Sequence, residues 1–301
     1  MKPDPAPVHA MQTKPTWKQL LERERPLLLP CAHDALSARL IERAGFAAYS
    51  IGGFPLVGAR HALPDVGLVG FGEMSAGIRD IVAATDLPVL VDGDDGYGDA
   101  KNVARTIAGY EAMGVAAIFI EDQRAPKRCG HMAGKEVIDA DTMAVKLRAA
   151  AAARRNPDTF IIARTDARAV HGLDEALRRA ELYLKAGADG LFVEAPQTVE
   201  ELARIGRAFA GVPQIANMLE GGRTPMLSPP ELFRLGFAMV AYPTSLIFRV
   251  ARTIEKALAE LKAGTLAVEN EGVDFETFKE ITGFARWAEA EQSSDATRET
   301  R

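Results

Sequence analysis

Four stretches of this chain repeat one step, in which an amphipathic helix ends in glycine and runs at once into an apolar strand. They are IERAGFAAYSIGG (41–53), YEAMGVAAIFIED (110–122), YLKAGADGLFVEA (183–195) and LFRLGFAMVAYPTS (232–245). Glycine stops a helix because it takes the left-handed conformation past the C-cap without a Cβ penalty. The strands are apolar throughout rather than alternating, as strands covered on both faces are. Four more such runs lie between them, LLLPCAHD (27–34), LPVLVDGD (87–94), FIIARTDA (160–167) and VPQIANML (212–219), which makes eight. Segments with helical spacing fill the intervals, among them Asn102–Met113, Asp141–Arg154, Leu173–Ala186 and Val199–Ala208. Eight strands alternating with helices predict an α/β fold of right-handed β-α units closed into a (β/α)8 TIM-type barrel. An open doubly wound sheet is the alternative, and no Gly-x-Gly-x-x-Gly opens the first helix to support it.

The repeat sets the domain plan. Residues 1–16, with Pro3, Pro5 and Pro7, read as a flexible N-terminal arm, and 17–262 as the catalytic barrel. The stretch Trp17 to Arg25 reads as a short helix able to cap the barrel's bottom. A long helix is expected from Ser245 to Lys262, broken at Ala263-Gly264-Thr265. The C-terminal helical extension, 263–292, carries a second helix over Asp274–Glu291 with Phe275, Phe278, Ile281, Phe284 and Trp287. These apolar positions exceed what an eighth barrel helix needs, so they are expected to cover a neighbouring subunit. The tail 293–301, SSDATRETR tail included, reads as disordered.

Composition narrows the partners. With 36 basic against 41 acidic residues and no long basic cluster, nucleic acid and anionic membrane are poor partners, and a small molecule is the default. No apolar stretch has signal-peptide length or approaches the ~18 residues of a membrane span, which predicts a cytoplasmic protein. Two cysteines exclude a disulfide framework and a cysteine-rich zinc site. Cys31, inside LLLPCAHDA, reads as a buried filler.

In a barrel of this kind catalytic groups sit at the C-terminal ends of the strands. Polar residues gather there: Tyr49-Ser50-Ile51-Gly52-Gly53, Asp92-Gly93-Asp94-Asp95, Glu121-Asp122, Arg164-Thr165-Asp166, Glu194 and Asn217. Asp92 and Asp94, two apart on a strand, are expected on one face with Glu121 arriving from the next strand. Converging carboxylates without thiolate or imidazole suit Mg2+ or Mn2+ rather than Zn2+. An Asx turn is the alternative for the Asp-Gly-Asp. Arg164 is placed to clamp a substrate carboxylate, or else to pair with Glu194 or Asp166. The loop after the fourth strand sets Cys129 among Lys127, Arg128 and His131. Cations beside a thiol lower its pKa from about 8.5 towards roughly 3.5–7.5, making a proton donor, base or nucleophile; an ordinary loop cysteine is the other reading. His33, His61 and His171 stand alone and receive no role.

Taken together, Leu63-Pro64-Asp65, Val91-Asp92-Gly93-Asp94 with Gly96-Tyr97-Gly98, Ile120-Glu121-Asp122-Gln123, Lys127-Arg128-Cys129-Gly130-His131, Ala163-Arg164-Thr165-Asp166-Ala167, Glu194-Ala195 and Ala216-Asn217 resemble the isocitrate lyase/phosphoenolpyruvate mutase superfamily. Within it the chain is most similar to the branch of 2-methylisocitrate and 2,3-dimethylmalate lyases. The resemblance covers about residues 25–290, and its Lys-Arg-Cys-Gly-His element belongs to the carbon–carbon lyases. It implies Mg2+ held directly or through water by Asp92 and Asp94, with Asp65 and Glu121 behind them. It implies a loop that closes Cys129 over substrate, with Lys127, His131 and Arg164 as catalytic partners. Gly52, Gly53, Gly130, Glu194 and Asn217 are the implied substrate contacts, and a helix-swapped homotetramer the implied assembly.

The implied reaction cleaves a 2-hydroxy di- or tricarboxylate to a 2-oxo acid such as pyruvate and an enediolate, which Cys129 protonates. Tyr49 is a candidate base. Two departures bear on substrate: Ile51 replaces a serine before Gly52-Gly53, with Ser50 expected to face away, and Phe248 replaces a carboxylate-holding arginine, with Arg249 turned by ~100° on its helix. Both favour a smaller or more methylated diacid. An oxaloacetate decarboxylase or hydrolase of the same superfamily, and a carboxylate-binding barrel without catalysis, are the competing readings.

Overall fold

The computed structural model describes residues 14–266 and 272–298, so that 1–13 of the expected arm lie outside the described residues. Eight strands form, β1 (Leu27–Pro30), β2 (Tyr49–Ile51), β3 (Val89–Asp92), β4 (Ala117–Glu121), β5 (Phe160–Thr165), β6 (Gly190–Val193), β7 (Ile215–Asn217) and β8 (Met239–Tyr242). Every pairing is parallel. One run is β2-β3-β4-β5-β6 and the other β7-β8-β1. Two isolated parallel bridges, Cys31 with Ser50 and Leu191 with Gln214, join the runs and complete the ring in sequence order. The chain is a (β/α)8 barrel whose two seams are each a single bridge.

The helices are α1 (Trp17–Arg23), α2 (Ala35–Arg43), α3 (Gly53–His61), α4 (Phe71–Val82), α5 (Ala100–Glu111), α6 (Ala140–Ala153), α7 (Ala167–His171), α8 (Leu173–Lys185), α9 (Val199–Ala208), α10 (Pro229–Arg234), α11 (Ser245–Ala263), α12 (Phe275–Thr282) and α13 (Phe284–Arg298). Thr16 with Gln19, Asp34 with Ser37 and Asp99 with Asn102 close capping boxes that satisfy otherwise orphaned backbone donors. The four glycines read as helix stops, Gly45, Gly114, Gly187 and Gly236, have φ of +81°, +83°, +108° and +106°. They turn the chain from helix into strand as the repeat required.

Side chains alternate between two cores. Leu27, Leu29, Leu90, Phe160, Ile162 and Met239 point into the barrel, while Tyr49, Val89, Val91, Ile118, Ile120 and Ile161 pack under the helices. Trp17 and Leu20 of α1 join the interior cluster, so this helix closes the barrel opposite the strands' C-terminal ends.

Two expectations at the C-terminus change. The segment 274–291 is not one helix, because Gly283 (φ +72°) ends α12 before α13 starts. From Phe284 on, the chain meets neither glycine nor proline, and α13 continues to Arg298 through most of the tail read as disordered. The long α11 has no buried residue, and Ile254 and Leu258 are more than half exposed. α12 packs on α2, burying Ile281 and pairing Glu280 with Arg43 at 3.1 Å.

Because Trp17 is wholly buried with the barrel interior, Trp17→Ala should cost about 3–5 kcal/mol. Urea unfolding followed by circular dichroism measures this, and an unchanged midpoint would mean that α1 does not close the barrel.

Candidate active site

The C-terminal ends of the strands carry a buried cluster of carboxylates. Asp92 ends β3, and its Oδ2 accepts the Gly53 N–H at 3.0 Å. Asp94 lies beyond the strand with φ +48°, and its own N–H donates to Asp92 Oδ1 at 2.9 Å. The two acids therefore meet through a tight turn, not through the two-residue period of a strand. Asp65 comes from the loop after α3, and Glu121 ends β4 opposite Arg164 of β5. One ammonium serves the group: Lys127 Nζ lies 2.5 Å from Asp65 Oδ1 and 2.7 Å from Asp94 Oδ1. Burial first and Asp94 second push Asp92 up to about 6, against the pull of Lys127 and Arg164. Burial raises Glu121 well above the usual carboxylate range.

Such a cluster asks for more positive charge than Lys127 supplies. Among the described residues no three carboxylates, imidazoles or thiols are arranged to grip a metal ion together. Mg2+ does not need that, since it keeps several waters and takes one or two carboxylates. Glu121 Oε1 is a buried acceptor with no hydrogen-bond donor among the described residues, and Asp94 Oδ1 has only the Lys127 ammonium beside it. The donor set, oxygen only and rich in carboxylates, thus has the chemistry a hydrated Mg2+ takes.

Arg164 is the second centre of charge. Its Nε lies 2.9 Å from Asp166 Oδ2 and 3.2 Å from Glu121 Oε2, and its Nη2 lies 3.3 Å from both Asp166 Oδ1 and Glu194 Oε2. Phe119 and Phe192 flank its plane. Nη1 has no partner among the described residues and remains for a ligand. Burial opposes ionisation of Glu194, but Arg164, with His131 and Lys135, outweighs it and holds the carboxyl at about 2. Asn217 Nδ2 donates to Glu194 Oε2 at 3.3 Å.

The Cys129 loop lies closed on this floor. His131 Nδ1 accepts the Arg223 N–H at 2.9 Å, and Nε2 lies 3.1 Å from Glu194 Oε1, off the line of a good hydrogen bond. A Cβ on Gly130 would stand 2.5 Å from Arg164 Nη2 and 2.6 Å from Glu194 Cγ, so only glycine passes there. The Cys129 N–H donates to Asp65 O at 3.1 Å. Its thiol pKa is raised, not lowered as the basic neighbours suggested. Burial is the main cause, with Asp65 and Glu194 adding to it against Arg164 and a hydrogen bond from the His131 backbone. Lys127 has turned to the carboxylates and Arg128 is exposed. Cys129 is accordingly a protonated thiol at neutral pH.

Two other expectations are corrected, and that for Cys31 is extended. Tyr49 is fully buried in the layer under the helices, its phenol has no hydrogen-bond partner among the described residues, and it is not placed to act as base. Ser50, not Ile51, turns its side chain inward: Ser50 Oγ lies 3.5 Å from Leu29 O and Pro30 O, while Ile51 packs in the outer layer. Cys31 is buried, but it also forms the pocket floor, where Sγ accepts the Gly52 N–H at 3.1 Å. Gly52 caps α3, Gly53 opens it, and both border the pocket. Phe248 packs edge-on against Phe54, which lines the pocket, and Arg249 is drawn to Glu220 at 2.9 Å. Sequence reasoning gave no role to Gln123, quoted only as part of a motif, whose amide bonds both the N–H and the C=O of Arg128, and missed Lys135, which bonds Gly130 O and Asp166. Neither has a periodic signal; they are legible only once the loop is folded back.

The family described as phosphoenolpyruvate phosphomutase matches residues 17–262. The chain belongs to the phosphoenolpyruvate mutase/isocitrate lyase superfamily and, within it, to the carbon–carbon lyases. A 2,3-dimethylmalate lyase of Eubacterium barkeri is 41% identical over 285 residues, 94% of this chain and 98% of its own. Among solved structures, an oxaloacetate acetylhydrolase in complex with 3,3-difluorooxalacetate superposes with a TM-score of 0.88 at 29% identity, covering 93% of this chain and 96% of that one. A phosphonopyruvate hydrolase in complex with oxalate and Mg2+ does so at 0.81 and 28%, covering 91% and 95%.

A thiol with a raised pKa has little thiolate at neutral pH. Alkylation of Cys129 by iodoacetamide should therefore be slow at pH 7 and still be rising through pH 9, where an ordinary cysteine levels off. A plateau below pH 8 in a mass-spectrometric time course would restore the thiolate reading.

Proposed function

We propose that this protein cleaves a methylated 2-hydroxy diacid of the 2,3-dimethylmalate type into pyruvate and a carboxylic acid, with Mg2+ as cofactor. The observation that carries the reading is the protonated Cys129 thiol held by a closed loop over Arg164 and an acidic cluster short of positive charge. Mg2+, when bound, supplies Lewis-acid charge beside the oxygens of the substrate. Arg164 offers Nη1 to a substrate carboxylate from a guanidinium that its own carboxylate partners have already oriented. As the C–C bond breaks, the hydroxyl gives its proton to a carboxylate of the acidic cluster, its carbon becomes the carbonyl of the oxo acid, and the electron pair of the broken bond moves onto the departing fragment as an enediolate. Arg164 and Lys127 stabilise that charge, and Cys129 gives its S–H proton to the carbon. His131, held by Arg223 and facing Glu194, keeps the loop over the reacting carbon and water out.

The substrate preference rests on the far wall. Phe54, Leu219 and Pro243 present carbon to the pocket, and Arg249 is engaged outside it. A wall with no second cationic clamp suits methyl groups better than a third carboxylate, so 2-methylisocitrate is the weaker candidate. The second reading is hydrolysis or decarboxylation of oxaloacetate, favoured by the structural likeness to an acetylhydrolase. The lyase is preferred because a hydrolysis has less use for a positioned acid on a closing loop.

The assembly we propose is a homotetramer in which α11 is exchanged. An apolar groove between α2 and α11, lined by Leu40, Ile41, Phe46, Leu246, Val250 and Ile254, lies open beside the uncovered face of α11. A second copy's α11 has the matching apolar stripe. No described helix is long and apolar enough to cross a membrane, and two free thiols suit the reducing cytoplasm we propose as its compartment.

Metal-dependent pyruvate from 2,3-dimethylmalate, with an equal amount of a second acid, is expected in a lactate dehydrogenase-coupled assay. Chelator should abolish it, and Cys129→Ser should lower kcat by about 10^2–10^4, the range of general acid catalysis. Product from oxaloacetate alone would reject the lyase. For the assembly, light scattering should give four times the 32.4 kDa chain mass, and Ile254→Glu should lower it; an unchanged mass would leave α11 out of the interface.

A further inference from the structure

The loop that carries Cys129 has a closed neck: Gln123 bridges Val137 antiparallel, and the Arg124 N–H donates to Glu136 O at 2.9 Å. Lys135 stands just inside that neck with its side chain 1% exposed. Its ammonium lies 2.6 Å from Asp166 Oδ1 and donates to the carbonyl of Gly130, the residue after Cys129. We infer that Lys135 is a positioning residue, a post anchored on Asp166 against which the loop closes to deliver the Cys129 thiol.

The anchor is fixed from behind. The Asp166 N–H donates to Asp122 Oδ1 at 2.9 Å, and Asp122 Oδ2 takes Thr165 Oγ1 at 2.7 Å, Tyr183 OH at 2.8 Å and Arg179 Nη1 at 3.1 Å. Asp166 also holds Arg164 through both its oxygens. Lys135 offsets charge, since Arg164 is shared among Asp166, Glu121 and Glu194, but a counter-ion alone has no need of the Gly130 carbonyl. Two backbone bonds flank the thiol, the Cys129 N–H to Asp65 O and the Gly130 C=O to Lys135. The first holds the loop to the acidic cluster. The second ties it to the carboxylate that orients Arg164, so the acid and the guanidinium share one support. A lysine suits this post because its donors rotate on a long stem, reaching a carbonyl and a carboxylate at once.

The test compares Lys135→Met, Lys135→Gln and Lys135→Arg with wild type in the full-length protein. Cys129 alkylation by iodoacetamide is read by mass spectrometry with buried Cys31 as internal control, beside kcat and KM. Loss of a charge-assisted hydrogen bond should speed Cys129 alkylation about 10- to 100-fold in the Met variant, with Cys31 unchanged. kcat should fall by a comparable factor with KM within about threefold, and Arg should recover most of both. The Gln variant, which keeps a neutral donor, decides the matter if Met fails to fold, and is expected to speed Cys129 alkylation to a smaller degree. Cys129 alkylation at the wild-type rate in folded Met or Gln variants would overturn the inference, as would equal exposure of Cys31 and Cys129. The kinetic arm rests on the lyase reading, whereas the alkylation arm does not. Faster alkylation without lyase turnover in the wild type would therefore reject the function and keep the post.

Discussion

Asp65, Asp92, Asp94 and Glu121 are buried together at one end of a barrel, and the structure around them is arranged to make that bearable. Like charges brought out of water repel and lose hydration, which is why Asp92 and Glu121 titrate high. Relief comes from different parts of the chain. A helix N-terminus meets Asp92 through the Gly53 N–H, a neighbouring strand supplies Arg164, and a distant loop supplies Lys127. Because Lys127 belongs to the same loop as Cys129, neutralising the cluster and placing the thiol are one event.

The electrostatics then assign the chemistry. Arg164 is held well above its ordinary pKa because Asp166, Glu121 and Glu194 outweigh the penalty of its burial, so it stays a fixed cation. Cys129 is pushed the other way from an activated nucleophile, since burial and two nearby carboxylates favour the thiol. A permanent cation beside a reluctant acid is the pairing needed to hold a carbanion's charge and then quench it on carbon. Glycine makes this geometry possible at Gly130, where any side chain would strike Arg164 and Glu194, and at Gly53 a Cβ would sit tightly against Lys127 and Asp92.

The far end of the chain obeys a different constraint. α11 carries an apolar stripe with no residue fully buried, Leu246 packing only partly on the core, while the groove beside α2 lies open. Uncovered apolar surface of this kind is costly in a lone chain, which is the physical ground for the exchange of α11 proposed above. Ser245 and Arg249 at its start grip Glu220, in the loop whose Arg223 backbone holds His131, so α11 and the site share a short path.

The sequence by itself determined the barrel, because eight largely apolar strands, four of them entered through a glycine helix stop, have few ways to be covered on both faces. It also determined which residues stand at the strand ends, Asp92, Glu121, Arg164, Glu194 and Asn217 among them, since chain order and strand position are the same thing in a parallel barrel. Tertiary structure decided what distance and burial control. The thiol's pKa depended on where Lys127 pointed, not on how near it was in sequence. Strands of three residues left the inward side of β2 open to misreading, which exchanged the roles of Ser50 and Ile51 and placed Tyr49 in the outer layer. The contacts of Lys135 and Gln123 could not be read ahead of the fold; a loop has no period, and its contacts exist only after it folds back on the barrel.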